Sequence, residues 1–263
     1  MLWGRADVKR SVTVVIPARF GSSRFPGKPL VDLLGKPMIQ HVYEQAKACA
    51  AVDDVLVATD DERIKTAVER FGGHVVVMTE PYRTGTDRVA AVAKARGGDC
   101  YIDLQGDEIL LHPDLITDLV EPFLASDAPM GTLKRRIDSD QDLQNPGVVK
   151  VTTDCAGNAL YFSRAPIPLV RDDPKRAAVP GLHFIHLGLY IYTRETLATL
   201  SALPTGILED AEKLEQLRAL ENGIRIRVWE TNQKSLRIDS PEDVPVALAQ
   251  LQAHMSKSGS SQS

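Results

Sequence analysis

The chain has 263 residues, of which 43% are hydrophobic and 25% charged, and its formal net charge is only −4. This composition is sufficient for a well-buried core in one large domain or two small ones, and it excludes a chain that is disordered throughout. The slightly acidic balance gives no basic field for the backbone of nucleic acids, so we expect no nucleic-acid partner. No apolar run approaches the roughly 20 residues that cross a bilayer, so we expect no membrane insertion.

The cysteines and the first residues both favour a cytoplasmic protein. Cys49, Cys100 and Cys155 are widely spaced, which indicates neither a disulfide framework nor a CxxC metal site. Residues 1–10 carry several charges and lack the hydrophobic stretch of a signal peptide. We therefore expect a cytoplasmic location.

The first half of the chain alternates between strand-like and helix-like patterns. The predicted strands are 11–16, 55–58, 75–78 and 100–104. The predicted helices are 37–51, 87–96 and 113–124. A further predicted helix is capped by Asp60 or Asp61 and ends before Gly72. Repeated units of this length predict an α/β fold with a mostly parallel sheet and helices on both faces. Ligands bind beyond the carboxyl ends of such strands, so the loops after them should converge.

The second half is less regular. The predicted strands are 132–137, 148–153, 160–163, 184–192 and 224–229. Leucines at helical spacing predict one continuous helix over 208–222, with an ion pair between Glu209 and Lys213 on another face. A final helix is predicted over 241–252. The polar residues 256–263, like residues 1–10, are expected to be flexible tails.

The loop after the first strand combines glycines, hydroxyl groups and three cations between Pro17 and Leu30. Such a loop suits a polyphosphate, because backbone N–H groups can turn inward while Arg and Lys neutralise charge. The known nucleotide-binding motifs do not match: there is no G-x-G-x-x-G, five residues separate Gly21 from Gly27, and Pro29 follows Lys28. A solvated basic loop is the alternative interpretation.

Two acidic segments are candidate sites. Asp107 and Glu108 follow Gln105 and Gly106 at the end of the fourth strand, where carboxylates commonly hold Mg²⁺ near phosphates. A helix cap or a solvated loop is an equal alternative for this segment taken alone. Asp239 and Ser240 precede Pro241 much later in the chain, and by themselves they are more typical of a helix start than of a metal site.

From residue 12 to residue 251 the chain resembles the CTP:3-deoxy-manno-octulosonate (Kdo) cytidylyltransferases, which are the CMP-Kdo synthetases of lipopolysaccharide assembly. The segments that carry the resemblance are, in order, IPARFGSSRFPGKPL, GKPMIQHV, ATDDERI, GTDR, QGDE, ALYFSRAPIP, HLGLY, LEDAEKLEQLR and IDSPED. They extend over nearly the whole chain, and several of them are long.

The resemblance implies a fold and an activity. The fold is that of nucleotide-diphospho-sugar transferases, with a mostly parallel Rossmann-like sheet and an additional mixed α/β portion. It implies a single domain over 11–255, with a nucleotide-binding half at 11–125 and a sugar-binding and dimerisation half at 126–255. The activity is the Mg²⁺-dependent transfer of CMP from CTP to the anomeric hydroxyl of an ulosonic acid, with release of pyrophosphate. The family also implies a homodimer.

The resemblance further implies roles for individual residues. The triphosphate would be bound by Arg19, Ser22, Ser23 and Lys28. Gln105 would read the cytosine or ribose, and Asp107 and Asp239 would ligate Mg²⁺; Arg19 and Lys28 join these two aspartates in the catalytic set. The sugar-binding positions are Arg88, Arg164, His186, Tyr190, Glu215 and Gln216. An ulosonate needs an arginine for its carboxylate and acceptors such as Glu215 for its hydroxyls. The general base is left open, with a metal-bound Asp107 as one candidate.

The chain departs from the family pattern beside the sugar. Ile185 stands where many family members have Lys or Arg, and Ile109 stands where many have Pro. Tyr82 or Arg83 lies near the position where many members have His. The loss of a cation leaves the acceptor open between Kdo, its 8-amino analogue and another ulosonate such as sialic acid. A non-catalytic nucleotide-sugar-binding protein and an NAD-dependent oxidoreductase are alternatives. The retained lysine and carboxylates argue against the former, and the missing glycine fingerprint argues against the latter.

Overall fold

The computed structural model describes residues 9–21, 25–110, 112–172, 178–179 and 181–260. Within these ranges the strands are β1 (Val12–Ala18), β2 (Asp32–Leu33), β3 (Lys36–Pro37), β4 (Asp54–Thr59), β5 (Val75–Val77), β6 (Cys100–Leu104), β7 (Glu108–Leu110), β8 (Met130–Arg136), β9 (Lys150–Thr153), β10 (Ala159–Ser163), β11 (Phe184–Thr193), β12 (Ile226–Glu230) and β13 (Ser235–Arg237). The helices are α1 (Met38–Ala48), α2 (Glu62–Arg70), α3 (Gly85–Arg96), α4 (Asp114–Leu124), α5 (Asp140–Gln144), α6 (Arg194–Ala202), α7 (Ile207–Glu212), α8 (Gln216–Glu221) and α9 (Val244–Ser260).

One mixed sheet of nine strands forms the centre of the described structure, in the order β10-β9-β11-β6-β1-β4-β5 with β8 and β12 beyond β11. The strands β6, β1, β4 and β5 run parallel. The long strand β11 is antiparallel to β6, β8 and β9. The predicted α/β fold, with a parallel first half and a mixed second portion, is confirmed.

Helices cover both faces of the sheet because its central strands are apolar on both sides. On β1, Val14 and Ile16 are fully buried in one cluster with α1, α2 and α4, whereas Val15 is fully buried in another with α3, α6 and α8. Each such side chain contributes about 1.5–3 kcal/mol when it leaves water. This two-sided burial fixes which loops lie at the carboxyl edge of the sheet.

The helix that follows β5 begins earlier than the sequence predicts. The prediction begins at Asp87, but α3 begins at Gly85, because the Thr84 hydroxyl accepts a hydrogen bond from the backbone N–H of Asp87 at 3.1 Å. A threonine in this position satisfies a donor that the first helical turn leaves unpaired. The first turn of α3 therefore presents Thr86 and Arg88 near the carboxyl ends of the strands.

The predicted continuous helix over 208–222 is wrong. It is divided into α7 and α8 at Lys213, whose φ of 53° lies in the left-handed region. Glu209 does not pair with Lys213 as predicted; its carboxylate accepts two hydrogen bonds from the buried guanidinium of Arg218, at 2.8 and 2.5 Å. This buried bidentate pair is stronger than an exposed pair along one helix. The break places Glu215 at the start of a new helix, where it reaches α3.

A small two-stranded sheet was not predicted. Strands β7 and β13 pair antiparallel, with Arg237 opposite Glu108. The last helix also differs from the prediction: a 3-10 turn at Pro241–Asp243 leads into α9, which includes residues 256–260 of the expected tail. Residues 1–8 and 261–263 of the expected tails lie outside the described residues. No described helix has the length and apolar character needed to span a membrane.

Candidate active site

The loops at the carboxyl ends of the parallel strands converge, as the sequence predicts. Arg88 of α3 forms an ion pair with Asp60, which follows β4. Arg19, which follows β1, donates a hydrogen bond to the backbone carbonyl of Arg83 at 3.3 Å. These contacts connect the loops after β1, β4 and β5 with α3 at one edge of the sheet.

A lysine and two aspartates meet at the same edge. The nearly buried Lys28 donates from Nζ to Asp107 Oδ2 at 2.5 Å and to the carbonyl of Ile238 at 2.9 Å. Its Nζ also lies 3.9 Å from Asp239 Oδ1. The two acidic segments, far apart in the sequence, come together because β7 and β13 pair directly beside them. The structure therefore places three of the four predicted catalytic side chains in one cluster.

A neighbouring carboxylate provides the helix cap that the sequence suggested for Asp239. Asp243 accepts the backbone N–H groups of Asp239 and Ser240, each at 2.8 Å. These hydrogen bonds lower the pKa of Asp243. Asp239 directs its own carboxylate to Lys28 and to Arg237, whose Nε lies 3.1 Å from Asp239 Oδ2. Arg237 was missed, although its position two residues before Asp239 puts both side chains on one side of an extended chain.

The donor set of this cluster fits Mg²⁺. Asp107, Asp239 and the Ile238 carbonyl surround one position that the Lys28 ammonium group reaches. Among the described residues, no group of three or more His, Cys, Asp or Glu side chains is arranged to hold a metal. Magnesium commonly takes only one or two protein carboxylates and completes its shell with water and substrate phosphates. The two aspartates are therefore a suitable magnesium site, and a closed protein cage is not needed.

A second group of polar residues lies beside this cluster, under the predicted sugar site. Asp103 at the end of β6 is 1% exposed, and burial together with the charge of Glu215 raises its pKa to about 7. One of its carboxyl oxygens lies 3.1 Å from Thr86 Oγ1, and the other accepts a hydrogen bond from Gln105 Nε2 at 2.8 Å. Glu215 contacts the same Thr86 hydroxyl at 3.1 Å. Sequence reasoning missed Asp103, because an isolated aspartate inside a strand gives no motif, and it assigned no role to Thr86, although Thr86 lies in the GTDR segment.

Two predicted sugar-binding residues carry buried donors that lack a partner. Arg88 is 2% exposed, and its Nε has no hydrogen-bond partner among the described residues. The Nε2 of the buried Gln216 likewise has no hydrogen-bond partner among the residues that the structure describes. Buried polar groups are rarely left unsatisfied, so each is a donor available to a ligand.

Arg164 has a different environment from the one expected. Its guanidinium donates to three backbone carbonyls: Glu212 at 2.7 Å, Pro146 at 3.0 Å and Lys213 at 3.3 Å. These bonds hold the break between α7 and α8 against the loop before β9. The sugar contact of Arg164 stays a prediction, and three of the five guanidinium N–H groups already bond the protein.

His186 and Tyr190 lie next to each other on β11. Their ring centroids are 5.2 Å apart, and His186 Nε2 lies 3.0 Å from the Thr132 hydroxyl. Burial lowers the pKa of His186 to about 3 and raises that of Tyr190. His186 is therefore neutral and can exchange hydrogen bonds with sugar hydroxyls, but it carries no charge at neutral pH. Ser22 and Ser23 lie outside the described residues.

Comparison with known proteins identifies the family. A protein-family model described as Cytidylyltransferase matches residues 13–226 of the sequence. A 3-deoxy-manno-octulosonate cytidylyltransferase from Trichlorobacter lovleyi is 50% identical over 240 residues, which cover 89% of this chain and 95% of that protein. The chain belongs to the 3-deoxy-manno-octulosonate cytidylyltransferase family. A relative of the same name from Geobacter sulfurreducens is 48% identical over 248 residues, covering 92% of this chain and 99% of that protein.

A solved structure supports both the family assignment and the fold. The CMP:2-keto-3-deoxy-manno-octonic acid synthetase complexed with CTP is 41% identical, with a TM-score of 0.85 over 92% of this chain and 99% of the other. A Bacillus anthracis protein described as a glucose-1-phosphate thymidylyltransferase shares only the fold, at 17% identity and a TM-score of 0.62 over 92% and 95% of the two chains. The family, the fold and the enzyme class implied by the sequence motifs are confirmed.

Proposed function

We propose that this cytidylyltransferase transfers CMP from CTP to the anomeric hydroxyl of Kdo at the edge of the sheet where Lys28, Asp107 and Asp239 meet. That meeting is the observation that carries the proposal, since it unites a cation for the triphosphate with two carboxylates for a metal. Family membership supports the reaction itself. A non-catalytic binding protein would have no need to keep all three groups together.

The nucleotide side of the site consists of the loop after β1 and the start of the loop after β6. Arg19, with its exposed side chain, and Lys28 would neutralise the triphosphate, and the hydroxyls of Ser22 and Ser23 would donate hydrogen bonds to it. Gln105 would contact the cytosine or ribose. Asp107 and Asp239 would hold Mg²⁺, which when bound supplies charge neutralisation and orientation of the phosphate oxygens. The protein groups in this arrangement bind and orient CTP before the acceptor attacks.

The acceptor side lies around the first turn of α3 and the start of α8. The unpartnered Nε of Arg88 can donate to the carboxylate of an ulosonate. Glu215 can accept from sugar hydroxyls, and Gln216 can donate its unpartnered N–H. His186 and Tyr190 offer neutral groups from β11. These residues would orient the anomeric hydroxyl toward the nucleotide.

The reaction is an in-line displacement at phosphorus. The anomeric oxygen forms a bond to the α-phosphorus while the bond to the bridging oxygen breaks, and pyrophosphate leaves. Positioning and preorganised charge carry most of the acceleration in phosphoryl-type transfers. Arg19 and Lys28 would stabilise the charge that develops on the leaving pyrophosphate. Asp107 is one candidate for accepting the hydroxyl proton.

The identity of the acceptor rests on the surroundings of β11. Ile185 is partly buried and packs against the hydrophobic cluster of α1, α2 and α4. Its neighbour across the sheet, Lys150, donates to the carbonyls of Asn145, Val148 and Arg164, at 2.6–2.9 Å. This lysine is fully engaged by the protein, and the residue opposite Ile185 on the other side is Arg135 of β8. Position 185 itself carries no charge, so the 8-amino analogue of Kdo, whose ammonium disfavours a cation at that position, is the second candidate acceptor.

We also infer a single domain over 11–255 that forms a homodimer. Strand β11 pairs with β6 of the first half and with β8 of the second, which supports one continuous domain. Leu160, Leu169 and Ile207 in the second half are 62%, 71% and 85% exposed, and a dimer interface in this half would remove apolar surface from water. Light scattering on the purified protein should give twice the chain mass; a monomer at micromolar concentration would contradict the inference.

A transfer assay tests the proposed function. The enzyme is incubated with CTP, Mg²⁺ and, in parallel, Kdo, 8-amino-Kdo or sialic acid, and pyrophosphate release is followed while the product is identified by mass. We expect CMP-Kdo with the highest kcat/KM for Kdo. A clear preference for the 8-amino sugar would select the second acceptor. No transfer to any of the three acids would refute the proposal.

A further inference from the structure

One hydroxyl group lies between a buried and a half-buried carboxyl group beneath the acceptor side. Thr86 Oγ1 lies 3.1 Å from Asp103 Oδ2 and 3.1 Å from Glu215 Oε2. The chain positions are distant, and the three residues come from α3, from the end of β6 and from the residue before α8. The two carboxyl groups therefore contact the same hydroxyl group.

The number of hydrogens available for these contacts determines the protonation state of the two carboxyl groups. A threonine hydroxyl has one hydrogen and two lone pairs, and an ionised carboxylate only accepts. If Asp103 and Glu215 were both ionised, one of their contacts with Thr86 would bring lone pairs together in a buried place, which is costly. With both groups ionised, the one hydrogen can at best be shared between two acceptors, whereas a proton on one carboxyl group gives each contact a hydrogen of its own. Tyr192 also hydrogen-bonds Thr86, and the second lone pair of the hydroxyl accommodates it.

The neighbours place this proton on Asp103. Burial raises the pKa of Glu215 as well, but Glu215 accepts a further hydrogen bond from Thr84 at 2.9 Å and lies 3.5 Å from the guanidinium of Arg218, both of which favour its ionised form. Asp103 has no cation within hydrogen-bond distance among the described residues. Its other oxygen, Oδ1, accepts from Gln105 Nε2 at 2.8 Å, which leaves Oδ2 to carry the hydrogen toward Thr86.

The remaining groups around Asp103 act in the same direction. Burial raises its pKa first, and the negative charges of Glu215 and Asp107 raise it further, to about 7. Tyr190 and Tyr192 on β11 are neutral phenols whose own pKa values are raised by burial. The hydrogen bonds with Thr86 and Gln105 act in the opposite direction, but among the described residues no cation of β11, α3 or α8 forms an ion pair with Asp103 to favour its ionised form.

We propose that Asp103 is protonated in the substrate-free enzyme and is a positioning residue that orients Glu215 through the Thr86 hydroxyl and Gln105 through its other oxygen. The proposal rests on the proposed function for what Glu215 and Gln105 contact. The chain of hydrogen bonds from Gln105 to Glu215 then connects the nucleotide side with the acceptor side. When Asp103 loses its proton, Thr86 has two ionised neighbours and only one hydrogen, and Glu215 is released.

The proton itself can be observed without substrate. In enzyme labelled with ¹³C at the aspartate carboxyl groups, one NMR resonance should titrate with a midpoint near pH 7, and Asp103→Asn should remove it. If Asp103→Asn fails to fold, Thr86→Val provides a second assignment. This variant keeps Asp103 but removes the hydroxyl that Asp103 contacts, so the Asp103 resonance should shift. An Asp103 resonance that is already that of a carboxylate at about pH 5 would overturn the proposal.

Kinetics test the positioning role. Asparagine can reproduce the hydrogen bonds of the protonated acid at every pH, because its amide donates to Thr86 and its carbonyl accepts from Gln105. The ratio of kcat/KM for the acceptor between the natural enzyme and Asp103→Asn should be close to one at about pH 6 and fall about tenfold by pH 8. Asp103→Leu, which makes neither bond, should raise the acceptor KM at both pH values.

The outcomes separate the two proposals. A kinetic ratio that stays constant between about pH 6 and pH 8 would contradict the positioning role of Asp103. Absence of transfer to any ulosonate would refute the proposed function, but the carboxyl titration needs neither CTP nor sugar and would stand independently. A midpoint near pH 7 together with a pH-dependent ratio is the result expected.

Discussion

The ammonium group of Lys28 lies 2.5 Å from the carboxylate of Asp107, although 79 residues separate them in the chain. It also reaches the carbonyl of Ile238 and the carboxylate of Asp239. A glycine-containing loop at the start of the chain is thus tied to two acidic segments that a small sheet brings together. In the substrate-free protein this lysine balances charge that CTP and Mg²⁺ would alter on binding.

Replacing this lysine should remove catalysis while preserving the fold. We expect Lys28→Met to lower kcat/KM for CTP by at least about 10²-fold, since a cation that stabilises the leaving pyrophosphate is lost. Steady-state pyrophosphate release measures the effect. Lys36→Met, at an exposed lysine paired with Glu44, is the matched control and should stay within about twofold. Comparable activity of the two variants would remove Lys28 from the catalytic set.

The buried ion pair between Glu209 of α7 and Arg218 of α8 should contribute to the free energy of unfolding. Arg218 is 1% exposed and makes two hydrogen bonds to Glu209, so Arg218→Met leaves a buried carboxylate without its partner. We expect the free energy of unfolding in urea to fall by about 3–5 kcal/mol. Lys213→Met breaks an exposed pair with Asp210 in the same segment and should cost less than about 1 kcal/mol. Equal losses for both variants would contradict the role of the buried pair.

The buried histidine should make the fold sensitive to acid. Burial lowers the pKa of His186 to about 3, so between about pH 6.5 and pH 3 the unfolded chain binds a proton that the folded chain does not. This group therefore reduces stability as the pH falls below about 6.5, by up to about 1.4 kcal/mol per pH unit.

Denaturant unfolding at two pH values measures this effect. Between about pH 7 and pH 5, His186→Gln should lose about 2 kcal/mol less than the natural chain. His112→Gln, at an exposed histidine, should keep the natural dependence. If His186→Gln shows the same loss as the natural chain, His186 is not the neutral buried group that its surroundings indicate.

Local patterns were sufficient for the central sheet and for the convergence of its loops. Apolar residues on both sides of β1 and β4 predict buried parallel strands, and the parallel order fixes where their loops lie. The break at Lys213 could not be predicted, because leucine spacing alone favours one helix. The decisive interaction is the buried pair of Glu209 with Arg218, which depends on the fold around it.

The site was predictable where residues occur in recognisable motifs. Lys28, Asp107 and Asp239 were found this way, and the structure brings them together through the pairing of β7 with β13, which no local pattern indicated. Asp103 and Thr86 were missed, because their importance comes from burial and from a shared hydroxyl contact between separate elements.

The most direct test of the account is pyrophosphate release from CTP and Kdo by variants of the two aspartates. Asp107→Asn and Asp239→Asn remove the charges proposed to hold Mg²⁺ but keep the size of the side chains. Glu242→Gln makes the same change at an exposed residue of the same segment. We predict that each aspartate variant folds normally and loses at least about 10²-fold in kcat, whereas Glu242→Gln keeps its activity within about twofold. Near-normal pyrophosphate release by either folded aspartate variant would contradict the assignment of this cluster as the site of cytidylyl transfer.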